Sequence, residues 1–426
     1  MLPGGRGVLF TISANTLEEE QLAVLDLKSG EQKTLLRGGV AAHYLNTGHL
    51  VYATVSSRGP GPVSGTLWAV AFDLDRLALR GEPVHVSETL QIDMLAAPNY
   101  AMSSTGTVAY MPARAHTRSF VWVDRNGGEV PITGLPPRAY QTIELSPDGT
   151  RLAFAIEDRP FDIWVWDIAR EVLSRMTFGP SFDWLPRWTP DGRRLIFRSN
   201  RDGPYNLYSV PSDGSGQVER LTTSDFDQYP NSVTPDGTTV LTCELRPKTG
   251  FDILRFPAVV VPEHSGSALT PAASADVSLV SSPSAEYAAN ISPDGRYFAY
   301  QSAESGRFAV YVKPYPDVGR ARWQVSMEGG TAPVWARKGG ELFYLDDSNS
   351  LITVPVETSG PQFKFGKPAK VFETTYSGDF YSYDVTPDGR RFLMMKQSEP
   401  GDRSHPASMV VVFNWLEELK QRVPTR

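Results

Sequence analysis

The sequence has very little cysteine, since Cys243 is the only one among 426 residues. A single cysteine excludes an intramolecular disulfide and a cysteine-based zinc site. Long apolar runs are also missing, because no stretch approaches the eighteen residues that a membrane-spanning helix needs. The net charge is −7 and the chain has no long basic run, which argues against a nucleic-acid partner.

Motifs of several chemistries are absent too. The chain contains no Gly-x-Ser-x-Gly nucleophile elbow, no His-Glu-x-x-His zinc motif and no calcium loop rich in Asp and Asn. The six histidines stand at positions 43, 49, 85, 116, 264 and 405, away from the strand starts of the later repeats where catalytic groups would converge. We therefore expect no catalytic residue, no metal ion and no cofactor.

What the chain does have is one repeated turn. The sequence "TPDG" at 189–192 lies between apolar runs, and Ser/Thr-Pro-Asp-Gly recurs at 146–149, 234–237, 292–295 and 386–389. Pro presets the turn, Asp bonds the nearby backbone and Gly accepts a positive φ, so each copy predicts a β-hairpin corner. We interpret Asp191 and its equivalents as structural.

Degenerate copies extend this repeat along the whole chain. The turn glycines stand 43 to 58 residues apart, at positions 5, 48, 106, 149, 192, 237, 295, 339 and 389. A period in the forties, with four short strands and no helix per repeat, is typical of β-propeller blades. The fold class is therefore all-β, a propeller of four-stranded blades.

Nine corners allow two ways of closing the ring. We prefer a six-bladed ring over residues 117–413, in which 128–134 supplies the outer strand of the last blade beside 408–415. Residues 1–116 would then be three degenerate repeats, the first incomplete, that form half of a second propeller. Residues 414–426 would form a short helix, capped by Asn414, on the last blade. The alternative is one ring of eight blades with 32–36 as the closing strand.

Acidic and aromatic residues are frequent just before each inner strand, and cations are frequent in the loops on the same face of the ring. Converging aromatic and charged side chains at a concave mouth suit a peptide, a protein or a small polar ligand. The candidate ligand contacts are Tyr140, Asp183, Trp184, Asp227, Tyr229, Glu286, Tyr287, Asp379, Tyr381, Arg159, Arg201, Arg246, Lys248 and Arg307. The competing interpretation is that the aromatics pack blade against blade and the charges are solvated.

Several segments carry a family resemblance. "SPDGTRLAF" and "SNRDGPYNLYSVP" resemble the TolB-type propeller repeat. The order "FVWVDRNGGEV", "FDIWVWDIARE", "SGRFAVYVKPYP", "RWQVSMEGG" and "VVVFNWLEELK" resembles the C-terminal region of bacterial eukaryotic-like serine/threonine protein kinases. In that family a kinase domain and a membrane helix precede the propeller repeats. This sequence has no Gly-rich phosphate loop, no His-Arg-Asp loop and no Asp-Phe-Gly motif. The resemblance therefore implies a sensor or scaffold part without kinase activity.

Together these observations predict a non-enzymatic binding or sensor module. Two alternatives stay open: a hydrolase or lyase that uses the mouth carboxylates, and a purely structural spacer of a larger kinase-type protein. With no leader and no apolar span, we expect the chain as encoded to stay in the cytoplasm. If it belongs to a membrane-tethered kinase, we expect it outside the membrane.

Overall fold

A computed structural model of the chain describes residues 1–12, 20–55, 63–86, 90–92, 100–103, 106–111, 117–157, 161–258, 277–374, 376, 381–397 and 409–423. The chain divides into two compact units. The first unit comprises Met1–His116 and Glu399–Arg426, and the second comprises Thr117–Ser398.

The strands are short and antiparallel. The first ten, all in the first unit, are β1 (Gly7–Ile12), β2 (Gln21–Asp26), β3 (Gln32–Arg37), β4 (Gly39–Leu45), β5 (His49–Val55), β6 (Val63–Asp73), β7 (Ala78–His85), β8 (Leu90–Ile92), β9 (Tyr100–Met102) and β10 (Val108–Tyr110). The second unit begins with β11 (Arg118–Asp124), β12 (Glu129–Pro131), β13 (Tyr140–Leu145), β14 (Arg151–Ile156), β15 (Asp162–Asp167), β16 (Val172–Arg175), β17 (Asp183–Trp188), β18 (Arg194–Ser199), β19 (Asn206–Pro211), β20 (Glu219–Arg220), β21 (Gln228–Val233), β22 (Thr239–Arg246) and β23 (Gly250–Pro257). It continues with β24 (Val277–Val280), β25 (Glu286–Ile291), β26 (Tyr297–Ser302), β27 (Ala309–Pro314), β28 (Trp323–Gln324), β29 (Thr331–Trp335), β30 (Glu341–Leu345), β31 (Ser350–Glu357), β32 (Lys364–Phe365), β33 (Ala369–Glu373), β34 (Tyr383–Val385) and β35 (Arg391–Gln397). The chain returns to the first unit with β36 (Val410–Val412) and the helix α1 (Trp415–Arg422).

The second unit is a closed ring of six blades. Blade 1 is β13–β16, blade 2 is β17–β20, blade 3 is β21–β24, blade 4 is β25–β28, blade 5 is β29–β33, and blade 6 combines β34 and β35 with β11 and β12. The inner strands contact their neighbours in cyclic order, from β13 through β17, β21, β25, β29 and β34 back to β13. The predicted all-β propeller is confirmed.

Blade 6 closes the ring with strands from both ends of the unit. All seven residues of β11 pair with β35, from Arg118 opposite Gln397 to Asp124 opposite Arg391. β12, within the predicted segment 128–134, is the outer strand of this blade, as expected. The prediction that this outer strand lies beside 408–415 is wrong, because β12 pairs with β11. β11 takes that place because its apolar side chains are buried, with Phe120 1 % and Val123 0 % exposed.

The C-terminal segment belongs to the first unit instead. β36 pairs with β10, and α1 buries Trp415, Leu419 and Val423 against strands of that unit. The helix therefore does not lie on the last blade of the ring. Asn414 precedes it with a positive φ and makes no capping side-chain hydrogen bond. The eight-bladed alternative is wrong as well, because 32–36 lies in β3 and pairs with β2.

The first unit contains three blade-like sheets. Sheet 1 is β1–β2–β3, sheet 2 is β4–β5–β6–β7 with β8 beside β6, and sheet 3 is β9–β10–β36. Sheet 1 packs on sheet 2 through a core that includes Leu22, Val24 and Tyr52. Val108 of sheet 3 shares another core with sheet 2 and α1. That these sheets form half of a second propeller stays a prediction.

The repeated corners are turns stabilised by hydrogen bonds among their own residues. In blade 2 the Thr189 hydroxyl donates to Asp191 Oδ1 at 2.6 Å, and the same oxygen accepts from the backbone N–H of Arg193 at 3.0 Å. Thr189 Oγ1 also accepts from the N–H of Arg194 at 3.0 Å, and the Gly192 N–H donates to the Thr189 carbonyl at 2.8 Å. Gly192 has φ +68°, which favours glycine. The Asp191 carboxylate thus holds the turn.

The corners also join neighbouring blades. A Cβ added to Gly149 of blade 1 would come within 2.8 Å of two ring carbons of Pro387, in the corner of blade 6. The corner glycines of blades 2, 3 and 4 face the proline of the preceding corner more loosely, at 3.7, 3.9 and 3.4 Å. The recurring Pro and Gly therefore shape each turn and let adjacent turns approach.

We predict that Gly149→Ala destabilises the ring more than Gly339→Ala does. Both glycines have positive φ, +73° and +76°, so alanine should cost about 1–2 kcal/mol at either site. Only Gly149 faces a close neighbour, which adds an overpacking cost of about 1–3 kcal/mol. Equilibrium urea unfolding of the two variants measures the difference. Equal losses would show that corner-to-corner contact contributes nothing.

Candidate functional site

The two faces of the ring are built from different loops. The corner face carries the Ser/Thr-Pro-Asp-Gly turns. The opposite face, called the loop face here, carries the loops that lead into each blade's inner strand and third strand. The candidate contacts predicted from the sequence belong to the loop face.

Aromatic side chains form a row on the loop face of blades 2 to 4. Each stands at or just before the start of an inner or third strand, and all are half-buried: Trp184, Tyr205, Tyr229, Phe251, Tyr287 and Phe308. Ring centroids lie 5.2 Å apart for Tyr229 and Phe251, 4.4 Å for Phe251 and Tyr287, and 5.9 Å for Tyr287 and Phe308. This aromatic row runs across three blades, and each of its six residues is partly exposed to solvent.

Arg198 joins the blade 2 end of the row to the rest. Its guanidinium carbon lies 3.8 Å from the ring centroid of Tyr205 and 3.7 Å from that of Tyr229, so the cation is held between two rings. The ring centroid of Trp184 lies 5.7 Å from the same guanidinium carbon, and Asp227 Oδ2 lies 3.6 Å from Arg198 Nη2. Arg198 is 2 % exposed, so these cation–π contacts are desolvated. The arginine fixes the spacing of the tyrosines.

Strongly exposed apolar side chains also lie on this face. Phe178 is 66 % exposed, Leu245 41 % and Met327 69 %, and all three stand in or beside loops of the loop face. The other large apolar residues of the ring that are exposed in the described part lie on outermost strands: Val130, Val172, Val277 and Phe365. None of the described Pro-Asp-Gly turns carries one. These four stand towards the corner-face ends of their strands, so exposed apolar side chains occur near both faces, but the described loops of the ring carry them only on the loop face.

The aspartates predicted at the mouth of the ring form ion pairs and hydrogen bonds with neighbouring residues of the protein. Asp183 is fully buried, and Arg201 Nη2 donates to its two oxygens at 3.0 and 2.8 Å. Burial raises the pKa of Asp183, and the hydrogen bonds of Ser199 and Arg201 oppose that shift. Asp227 accepts from the N–H of Tyr205 at 3.0 Å besides its contact with Arg198. Asp183 presents no surface to a ligand, and the charge of Asp227 is largely neutralised.

Two carboxyl groups have a strongly raised pKa. Glu286 is 1 % exposed, accepts a hydrogen bond from the Ser282 hydroxyl, and has its pKa raised to about 7 by burial and by nearby Asp252. Burial likewise raises the pKa of Glu144 to about 7, although Arg187 lies 3.9 Å away. Glu286 begins its inner strand and Glu144 stands near the corner end of another. The two groups thus occupy opposite faces and do not form an acid–base pair.

Tyr381 contacts residues of two other blades. Its ring lies 4.0 Å from the guanidinium carbon of Arg187 in blade 2, and its hydroxyl accepts from Asn231 Nδ2 in blade 3 at 2.7 Å. Because Tyr381 leads into blade 6, opposite blade 3, the side chain reaches across the channel. Burial raises its pKa. Tyr140 is fully buried against Phe120, so it belongs to the core.

The predicted cations are dispersed rather than convergent. Arg201 is bound to Asp183, and Arg246 donates to Glu244 Oε1 at 2.8 Å. Arg307 is exposed and donates to the Met327 carbonyl at 2.7 Å, beside the exposed apolar group. Lys248 is exposed in the loop between β22 and β23. Arg159 and Asp379 lie outside the described residues.

Six of the nine aromatic and exposed apolar residues on the loop face escaped the sequence prediction. Trp184, Tyr229 and Tyr287 were among the predicted contacts, whereas Tyr205, Phe251, Phe308, Phe178, Leu245 and Met327 were not. A signal exists for three of these, because Tyr205, Phe251 and Phe308 each follow a turn glycine by one or two residues before a third strand. No such pattern marks Phe178, Leu245 or Met327.

Comparison with known proteins agrees with this architecture. Residues 89–258 match the family model of the TolB beta propeller domain. The structure of a protein assigned as TolB from Agrobacterium tumefaciens superposes with a TM-score of 0.50 at 16 % identity, covering 68 % of this chain and 100 % of that one. The ring is a TolB-like β-propeller. At this identity the similarity establishes the fold alone.

Curated relatives match only in part. An uncharacterized protein of Agrobacterium fabrum is 37 % identical over 97 residues, which cover 22 % of this chain and 33 % of the relative. The Tol-Pal system protein TolB of Syntrophus aciditrophicus is 36 % identical over 72 residues, 16 % of each chain. The uncharacterized peptidase YuxL of Bacillus subtilis is 29 % identical over 105 residues, 23 % of this chain and 16 % of that one. The chain thus spans a third or less of the length of these relatives.

Two further properties of the described residues bear on function. No helix among them is long and apolar enough to cross a bilayer. No group of three or more His, Cys, Asp or Glu side chains among them is arranged to hold a metal ion.

We predict that Glu286→Gln flattens the pH dependence of stability of the TolB-like propeller between about pH 4.5 and 7. The folded-state pKa lies above the ordinary value of 4.5, so within this range the folded protein retains a proton that the unfolded chain releases. The stabilisation is complete below pH 4.5 and is lost as the pH rises towards 7. Thermal unfolding across this range measures the slope.

Glu129→Gln is the matched control with the opposite sign. Hydrogen bonds from Lys396 and Tyr376 lower the pKa of Glu129, so its contribution is present above pH 4.5 and is lost in acid. This variant should lose stability at neutral pH and keep the wild-type slope between pH 5 and 7. If Glu286→Gln leaves that slope unchanged, the carboxyl group is not held protonated by burial.

Proposed function

We propose that the TolB-like propeller is a non-enzymatic interaction module that recognises an extended segment of a partner protein or peptide through its loop face. The observation that carries this proposal is the aromatic row across blades 2 to 4, which lies on the same face as three exposed apolar side chains. Phe178, Leu245 and Met327 are exposed on the loop face, and none of the described corner turns exposes a large apolar side chain. Exposed apolar side chains on a face that also carries an aromatic row are groups that an interaction surface presents.

The aromatic row supports the same proposal. Tyr and Trp are enriched at interfaces because they offer large, rigid contact area together with a polar handle. The sandwich around Arg198 holds Tyr205 and Tyr229 in place before any partner arrives, which lowers the entropy lost on binding. The row lies across three blades, so it suits an extended segment better than a compact small molecule.

The charges favour apolar recognition over electrostatic steering. Asp183 and Asp227 each lie against an arginine of the ring. A partner would therefore gain little from presenting a basic group to them, and we propose that binding depends only weakly on salt. A small polar ligand and a purely structural role are the outcomes that compete with this proposal.

The sequence resemblance suggests where such a module acts. In the kinase family that the sequence resembles, propeller repeats form the sensor part of a membrane-tethered protein. We propose a sensor or scaffold role of the same kind, outside the membrane if the module is tethered and in the cytoplasm if it is not. An enzymatic role has no support from the carboxylates, because Glu144 and Glu286 lie on opposite faces.

The proposal predicts that Phe178→Ala and Met327→Ala each weaken binding of peptides selected from a random phage-displayed library against the full chain. Truncating a buried contact of this kind commonly costs about 1–2 kcal/mol, which is roughly a 5- to 30-fold rise in Kd. Because both side chains are exposed in the free protein, the melting temperature should stay near that of the wild type. Fluorescence anisotropy with the selected peptide measures Kd.

Phe365→Ala is the matched control, since Phe365 is exposed on an outer strand away from the loop face. It should leave Kd unchanged. Selected peptides that bind both loop-face variants normally, but lose affinity for Phe365→Ala, would assign recognition to the rim. A library that yields no binder at all would favour the structural spacer.

A further inference from the structure

The junction between blades 3 and 4 holds two buried carboxyl groups at the loop face. Asp252 lies near the start of β23 and Glu286 begins β25, and each is 1 % exposed. The two strands contact each other, and the rings of Phe251 and Tyr287, which adjoin these acids in the chain, lie 4.4 Å apart. Asp252 Oδ1 and Glu286 Oε2 are both buried without a hydrogen-bond partner in the described part of the chain. Such oxygens are costly to bury unless a donor reaches them.

The junction between blades 1 and 2 shows how the protein neutralises a pair of this kind. Asp162 and Asp183 hold the corresponding positions in the strand registers. Arg175, on the outer strand of blade 1, donates to Asp162. Arg201, in the loop before the third strand of blade 2, donates to both oxygens of Asp183 at 3.0 and 2.8 Å. Each buried carboxylate of that junction therefore has its own guanidinium.

Neither arginine has a counterpart at the junction between blades 3 and 4. The register of the outer strands puts Ser278 where Arg175 stands. The register of the inner strands puts Glu304 where Arg201 stands, since each follows by two residues the partner of the inner strand's first residue. A serine is too short to reach the carboxyl groups, and a glutamate, here paired with Arg322, carries the opposite charge.

The arginine that does lie beside the pair is shared with a third acid. Arg246 Nε lies 4.0 Å from Asp252 Oδ2, but it donates to Glu244 Oε1 at 2.8 Å. Burial and nearby Asp252 raise the pKa of Glu286 to about 7, which is the response of a carboxyl group without a cation of its own. The junction thus resembles that of blades 1 and 2 with its two guanidinium groups removed.

We infer that the partner segment carries an arginine whose guanidinium binds Asp252 and Glu286, as the protein's own arginines bind the acids between blades 1 and 2. Phe251 and Tyr287 belong to the aromatic row, so a segment that lies along the row passes beside the two acids. Ser282, which donates to Glu286, lies in the loop before β25, so part of the cover over this acid is a loop rather than a blade.

The chemistry of the site favours a guanidinium over other cations. A guanidinium is a planar fork of five donors, so one group can serve oxygens of two carboxylates, whereas an ammonium is a point charge. The described residues contain no group of three acids arranged around a metal ion. Because the pair is buried, salt screens it little, which agrees with the weak salt dependence proposed above. The inference rests on the proposed recognition by the loop face and adds the side chain that the partner must present.

Peptides selected from a random phage-displayed library against the full chain test the inference. Those that bind the loop face should share one arginine at a fixed distance from their apolar residues. Replacing that arginine by citrulline, which keeps the shape and removes the charge, should raise Kd for the wild type by about tenfold or more. The same replacement should change Kd by less than about threefold for Glu286→Gln and for Asp252→Asn, because each variant breaks the carboxylate pair. Fluorescence anisotropy measures Kd.

Two further variants serve as controls. Ser278→Arg supplies an arginine at the position equivalent to Arg175, so it should weaken binding of the arginine peptide by about tenfold and leave the citrulline peptide unchanged. Asp225→Asn removes an exposed carboxylate of the same face and should preserve the full effect of citrulline. Thermal unfolding of each variant shows that it is folded at the temperature of the binding measurement.

The outcomes separate this inference from the proposed function. Peptides that lose affinity for Phe178→Ala, but tolerate citrulline in place of every arginine, would overturn the inference and leave recognition by the loop face intact. A citrulline effect that persists in both Glu286→Gln and Asp252→Asn would also overturn it, because another acid would then bind the arginine. A library without any binder that depends on the loop face would overturn the proposed function, and the inference with it.

Discussion

The pairing of β11 with β35 is the contact on which the TolB-like propeller depends. Seven residues from the start of the second unit pair with seven from its end, and Phe120 and Val123 are buried between neighbouring blades. Each of the other blades is built from consecutive strands, so it needs no distant partner. Without the β11–β35 ladder the ring would open, because β34 and β35 alone cannot cover the sides of blades 5 and 1. The positions of the loops and turns on both faces of the ring depend on this closure.

Once the ring is closed, its two faces are free to differ. The corner face is held by turns in which Ser/Thr, Asp and Gly bond one another and their own backbone, and Pro387 meets Gly149 across a blade junction. The loop face is held by charge and aromatic contacts instead, with Arg198 between two tyrosines and Asp183 against Arg201. These contacts order the loop face while leaving apolar groups exposed, which is the combination that a preformed recognition surface needs.

The repeat made much of this fold predictable. The corner at 189–192 and its copies carry local turn chemistry, so they identify the blades, and the strand that the last blade lacked was correctly expected within 128–134. The identity of the third strand in blade 6 could not be read locally, because both 118–124 and 408–413 are short apolar runs and only packing distinguishes them. For the same reason the burial of Asp183, Glu286 and Tyr140 could not be predicted. A side chain at the start of an inner strand can point into a blade junction or towards solvent, and the local sequence does not distinguish the two. Phe178 and Met327 carry no periodic signal at all.

Hydrogen–deuterium exchange of the full chain, with and without a peptide selected against it, tests the central claim most directly. If the loop face is the recognition surface, the peptide should slow exchange in segments around 178–184, 201–205, 225–229, 247–251 and 283–287. Exchange in the corner turns at 146–150, 189–193 and 234–238 should be unchanged. Protection confined to the corner turns or to the outermost strands would contradict the account, because it would place recognition where the ring is built only to hold its shape.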